Sequence, residues 1–311
     1  MLENSIDILS SKIRDYINIP RVQNKFIINK KNWNQICSSL DVLGDTTYAI
    51  SSYIHSTFPN EDGLKYIYIY GLLQSLFLQQ DSLKHLTCAL FEINENEYKF
   101  SDELISIRDI RNDAIGHPTN RGNGKSFHYI SRMTMNKNGF DLLSSFSNKE
   151  DIFKEVKIIE LIDIQSNNIE KKMIDIVNNI EEREMEHRKK FKDIKMKDFL
   201  KGSDYSIEKL FESLYTESYS KKNFYISQLN PLINKYSDIE NQLIEREILP
   251  NDYLDEELKR VNYIFKCLKS YFSENERQFT NDDIYIFLSF LRDKNKEILE
   301  SLKNIDEEYE V

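Results

Sequence analysis

Arg111 and His117, six residues apart, are the pair in this sequence best suited to chemistry on a phosphodiester. A guanidinium carries permanent charge and a rigid fork of donors for phosphoryl oxygens, and an imidazole can move a proton near neutral pH. RNA brings its own nucleophile, the 2′-hydroxyl. What remains to be supplied is a base for that hydroxyl, an acid for the departing 5′ oxygen, and positive charge where the transition state gathers negative charge. Such a scheme needs no metal or cofactor. Two imidazoles serve it better than one, so a symmetric dimer is attractive: a second copy brings a second Arg/His pair into one cleft.

The pair must be held by a helix end. In SDELISIRDIRNDAIGHP, Ser101 or Asp102 can cap the helix, acidic residues fill its first turn, and Leu104, Ile107, Ile110 or Arg111, and Ala114 run down one side. Gly116 suits the left-handed position at a helix C-terminus and Pro118 cannot continue the helix, so Arg111 belongs to the last turns and His117 lies just beyond them. The preceding segment, Gly63 to Ile93, repeats Ile69, Leu76, Leu83 and Leu90 at seven-residue steps and predicts a long core helix. Gln79, Gln80 and Asp81 interrupt it, and Gln79 falls on the same row as Leu72 and Leu86. A polar residue there either bonds a neighbour in the core or lines a polar cleft.

A core helix is also expected over Lys31–Ile54, and another through Lys157–Phe191. Between the motif and the latter, FHYISRMTMNKNGFDLLSSF alternates and turns at Asn138-Gly139, predicting a β-hairpin around 126–146. Thr119, Asn120, Arg121 and Lys125 could grip flanking phosphates from the loop before it, or the loop is only a turn into the hairpin; Arg108 could face the same cleft one turn before Arg111 or pair with Asp109 or Glu103 at the surface, and Gln79 and Asp81 could line the cleft. Arg121 and His128 repeat the Arg-to-His spacing, but lack a polar residue after the Arg and run through a Gly-rich loop into a strand, so they are set aside. His55 and His85 have no Cys or paired carboxylate at ligand spacing, and His187 lies in a charge-rich solvated helix face. No GxGxxG, GK[ST], HExxH or GxSxG pattern occurs, which removes support for nucleotide-binding and hydrolase classes.

Arg111-Asn112, four intervening residues and His117 resemble the Arg-polar-x-His signature of HEPN domains, α-helical bundles common among prokaryotic RNases, toxins and RNA-targeting defence effectors. The resemblance spans residues 30 to 190. It implies a mainly α, HEPN-like helical bundle carrying a small β-hairpin insertion, and metal-independent RNA cleavage at a dimer-composite site that leaves a 2′,3′-cyclic phosphate and a 5′-hydroxyl. In the roles it implies, Arg111 contacts the scissile phosphate, His117 transfers a proton and Asn112 orients the helix end. A toxin or an effector of defence against phage is the biological role that the resemblance suggests. The alternative is a catalytically idle HEPN-like adaptor in which the Arg/His pair merely closes a helix.

The chain is long enough at 311 residues to bury a sizeable core, and its low counts of Gly (8) and Pro (5) point to helices joined by short loops. The expected division is a HEPN-like domain over 1–200 and an acidic helical module over 201–311, broken near Pro231 and Pro250, that could regulate, dimerise or bind a protein partner. Net charge is −10, yet Arg108 to Lys137 holds six Lys or Arg against two Asp, while Asp238 to Val311 holds 19 acids against 10 bases. One basic patch on an acidic protein can hold RNA locally while the overall field discourages indiscriminate phosphate binding. Cys37, Cys88 and Cys267 are odd in number and far apart, the signature of a reducing compartment, and neither a signal peptide nor a membrane span is evident, so a cytoplasmic location is expected.

Overall fold

Long amphipathic stretches with few breakers fold here into long helices, and the computed structural model, which describes residues 2–215, 222–273 and 279–310, is mainly helical with one small antiparallel sheet. Chain order is α1 (Leu2–Ile17), α2 (Pro20–Ile28), α3 (Lys30–His55), α4 (Asp62–Phe91) and α5 (Asp102–Arg111), then β1 (Ser126–Ile130), β2 (Gly139–Phe146) and β3 (Ile152–Lys157). There follow α6 (Ile158–Phe191), α7 (Ser203–Phe211), α8 (Lys222–Glu245), α9 (Asp252–Ser273) and α10 (Asn281–Glu308). Among the described residues no helix is long and apolar enough to cross a membrane.

The chain forms two compact units, one of Met1–Asn18 with Phe26–Ile180, the other of Ile19–Lys25 with Glu181–Val311. The boundary expected near residue 200 therefore falls inside α6. The reason is the packing of its last turns: Phe191 belongs to the core of the second unit, His187 bonds the Tyr309 hydroxyl at 2.9 Å, and Glu184 pairs with Arg21 of α2. Residues 216–221 and 274–278 of the expected C-terminal module lie outside the described residues.

In the first unit, the seven-residue step read on α4 is a buried stripe: Ile69, Leu76, Leu83 and Leu90 are all in the core. Leu72, Leu73 and Leu76 pack with Leu104, Ile107, Ile110 and Ala114 of the motif helix, and with Phe140, Leu142 and Val156 on the inner face of the sheet. Sheet order is β1-β2-β3, so the expected hairpin gains a third strand. IFKEVK hid that strand because it is an edge strand with Val156 as its one buried residue. The turn also lies one residue earlier than expected, since Asn136 and Gly139 exchange backbone bonds of 2.9 and 3.3 Å around Lys137-Asn138. Gly139 is required by the approach of β3: a Cβ there would lie 2.1 Å from the Val156 carbonyl oxygen.

In the second unit α7, α8, α9 and α10 share a core of residues such as Leu229, Tyr236, Val261, Leu268, Leu288 and Leu291. Pro231 sits inside α8 rather than breaking it. Its ring is on the exposed side, while Leu229, Leu232, Tyr236 and Ile239 bury the other face, and that burial offsets the lost backbone bond. Asp306 accepts the Met196 and Lys197 N–H groups at 2.7 and 3.0 Å, capping the short 3-10 turn over Met196–Leu200.

Candidate active site

The motif helix starts as its sequence dictates. The Ser101 hydroxyl accepts the Leu104 N–H at 3.3 Å, and Asp102 and Glu103 lie in the positive first turn. Its end is different from the expectation. After Arg111 the helix widens into a π turn over Asn112–Gly116, closed by the His117 N–H on the Asn112 carbonyl at 2.8 Å. Gly116 is thus not a left-handed cap; positive φ at glycine occurs instead at Gly122, Gly124 and Gly202. Its missing Cβ serves Arg111. A Cβ on Gly116 would lie 2.7 Å from Arg111 Nη1 and 3.1 Å from Asn112 Oδ1, so the backbone entering His117 abuts the guanidinium. Wide turns of this kind recur at functional sites, where one extra residue re-aims the chain.

Neutral partners hold Arg111. Its Nε and Nη2 donate to Gln74 Oε1 at 3.2 and 2.7 Å, Nη1 donates to Asn112 Oδ1 at 3.0 Å, and the Phe77 ring centroid lies 4.3 Å from its central carbon. Those bonds use three of the five guanidinium N–H groups and leave two for a ligand. The side chain is half-buried, whereas His117 is exposed. Asn112, expected to orient the helix end, accepts the Nη1 bond from the neighbouring guanidinium.

The other two arginines are neutralised. Arg108 donates to Asp81 at 2.8 Å and lies 4.0 and 4.6 Å from the Phe77 and Phe100 centroids, tying α5 to α4. Arg121 bonds the Asp109 carboxylate at 2.8 Å, the Asp109 carbonyl at 3.0 Å and the Asp113 carboxylate, fastening the loop to α5. The expectation that Arg108, Arg121 and Asp81 bind substrate is corrected accordingly: Asp81 takes a bond from Arg108 Nη1, Asp109 and Asp113 take both Nη groups of Arg121, and these pairs tie the elements around the site together. Gln79 is corrected too. It is 2% exposed, donates to Thr47 Oγ1 at 3.2 Å and accepts from Gln165 at 3.0 Å, so it belongs to the core and lines no cleft. Thr119 and Lys125 are exposed on the loop beside His117.

The discounted second pair has a structural use. His128 is 7% exposed, bonded to Ser144 Oγ at 2.9 Å and Ser126 Oγ at 3.0 Å, with Nε2 3.5 Å from the Asp113 carboxylate that Arg121 also holds. Enclosed in this way, it props β1 against the π turn, and its N–H adds a 2.8 Å bond to the Pro118 carbonyl. His187 is half-buried, not solvated; burial first, and Arg21 next, push its pKa down. Beside the Arg108 contact, burial pushes the Tyr98 phenol up to about 12, keeping it neutral against Phe100.

Sequence reading missed Gln74, Phe77 and Asp113. The available signal was spacing: Gln74, Phe77 and Asp81 step by three and four along α4, one face turned to α5. No protein-family model matches the chain, no curated protein matches its sequence, and no solved structure matches its fold.

Proposed function

We propose that the protein is a metal-independent endoribonuclease of the HEPN type, working as a homodimer. The observation that carries the reading is the contrast among three arginines: Arg108 and Arg121 are paired with carboxylates, while Arg111 is anchored by two neutral amides, at one end of the π turn whose other end is the exposed His117. Among the described residues the Arg111 guanidinium takes part in no ion pair, and its two unused N–H groups suit the non-bridging oxygens of a scissile phosphate. His117 takes the proton of the 2′-hydroxyl as its oxygen attacks phosphorus. The bond to the 5′ oxygen breaks, and that oxygen takes a proton from His117 of the second copy, leaving a 2′,3′-cyclic phosphate.

Support for a second copy comes from α4, where Leu64, Ile67 and Leu78 are exposed with Gly71 along one face, next to the row holding Gln74. Nothing lies within 4 Å of a Cβ built on Gly71, so this face is open to close helix approach. A role in growth arrest or phage defence follows from the HEPN reading, with the acidic second unit as its regulator.

The test is incubation of the purified protein with total RNA in the presence of EDTA. Wild type is expected to fragment the RNA, and Arg111→Ala and His117→Ala are each expected to lower the rate by about a thousandfold or more with the melting temperature unchanged. Cleavage by the double variant at the wild-type rate would overturn the reading.

A further inference from the structure

We propose that the outer face of the sheet is a stacking platform for the single-stranded RNA segment that flanks the scissile phosphate; the proposal rests on the ribonuclease reading. The register puts Tyr129 opposite Leu143, and Leu143 opposite Phe153. Side chains alternate across a strand, and Phe140, Leu142 and Ser144 point inward, so the odd-numbered row is the outer one. Tyr129 is 57% exposed and Phe153 72%, two aromatic rings that the protein leaves uncovered, with Leu143 between them and Phe127 two residues before Tyr129.

Charge selects the occupant. From Arg121 to Lys137 the chain carries four cations and no acid, in a protein of net charge −10. Arg121 is ion-paired and Lys137 donates to the Ser56 carbonyl at 2.8 Å, but Lys125 and Arg132 are exposed and, among the described residues, take part in no ion pair. They stand at the two ends of β1, bracketing Phe127 and Tyr129. Acids on this face lie on the β2–β3 side, where Asp141 is the cross-strand partner of Glu155 and Asp151 and Glu155 stand two residues either side of Phe153, so the phosphates would be held from the β1 side. Rings interleaved with free cations fit a strand whose bases stack while its phosphates are held from the sides. Tyr129 and Phe153 lie two strands apart, a separation of about 9.5 Å, which suits unstacked, splayed bases and not a duplex.

Continuity with the chemistry is covalent. The loop from His117 to Lys125 runs straight into β1, Arg121 and Ser126 form a β-bridge, and the His128 N–H bonds the Pro118 carbonyl. An RNA strand stacked on β1 is thereby carried toward His117.

The experiment measures anisotropy of a labelled single-stranded RNA of mixed sequence with full-length protein in the His117→Ala background, where the probe survives. Tyr129→Ala and Phe153→Ala are each expected to weaken binding by about five- to 150-fold, with unchanged melting temperature because both rings are exposed. Tyr129→Phe should retain affinity and Tyr129→Leu should lose it, which a merely apolar or structural role would not produce. Unchanged affinity in the alanine variants, an equal loss for duplex RNA, or conversion of dimer to monomer would overturn the platform, the last assigning the face to a second copy. If wild type cleaves RNA while the sheet variants bind and cleave as it does, the platform falls alone. If binding depends on the sheet but no cleavage occurs, the ribonuclease reading falls, the sheet's place beside a scissile phosphate falls with it, and a single-stranded RNA-binding face is what stands.

Discussion

At the scale of single residues, the account depends on what lies against the Arg111 guanidinium. Gln74 supplies an acceptor without a charge, which fixes the side chain and leaves its positive charge for a ligand. Gln74→Glu is therefore an informative change: it keeps the anchor and neutralises the fork, as Asp81 does for Arg108. Cleavage should fall by about tenfold or more while stability holds or rises; full activity in this variant, measured as initial rate on a defined RNA, would contradict the charge argument. Gly116→Ala tests position instead of charge. The new methyl must push aside the far end of a flexible arginine, so the fold should survive while the rate drops by about a hundredfold. Residue type and spacing single out Arg111, Asn112 and His117, which the structure places around one π turn. Gln74 was not: its significance lies in the residue it meets 37 positions later, which no local pattern encodes.

At the scale of elements, helical periodicity identified α3, α4, α5 and α6, and the burial of Ile69, Leu76 and Leu83 follows the seven-residue step. Periodicity states which face is inward and not what it meets. Gln79 needed a partner, and that partner is Gln165 of α6, which also donates to the Leu76 carbonyl at 3.0 Å and accepts from Gln80 at 2.8 Å. This buried amide cluster holds three helices in register, with Thr47 of α3 at its edge. Gln165→Leu strands the Gln80 donor and the Gln79 acceptor together, and should cost about 2–4 kcal/mol, read as a lower denaturant midpoint. A loss well under 1 kcal/mol would show that the cluster contributes little. The π turn and β3 escaped the sequence for related reasons. A widened turn keeps helical composition, and an edge strand with one buried side chain loses the alternation that announces strands.

At the scale of the whole molecule, the claim is that two copies complete one site. Ile67→Arg places charge on the exposed face of α4 at a position 64% exposed, so the monomer should fold normally. Sedimentation is expected to show a shift from dimer to monomer with cleavage lost in parallel; a fully active monomer would contradict the composite site. The two-unit organisation was legible as a change of character along the chain, but its boundary was not, because Phe191 and His187 are committed by contacts with α8, α9 and α10 that lie far ahead in sequence. The most direct measurement is the mass of the RNA ends produced in EDTA. The account predicts 2′,3′-cyclic phosphate and 5′-hydroxyl termini from wild type and intact RNA from His117→Ala. Fragments ending in 3′-hydroxyl and 5′-phosphate, or identical fragmentation by both proteins, would contradict it.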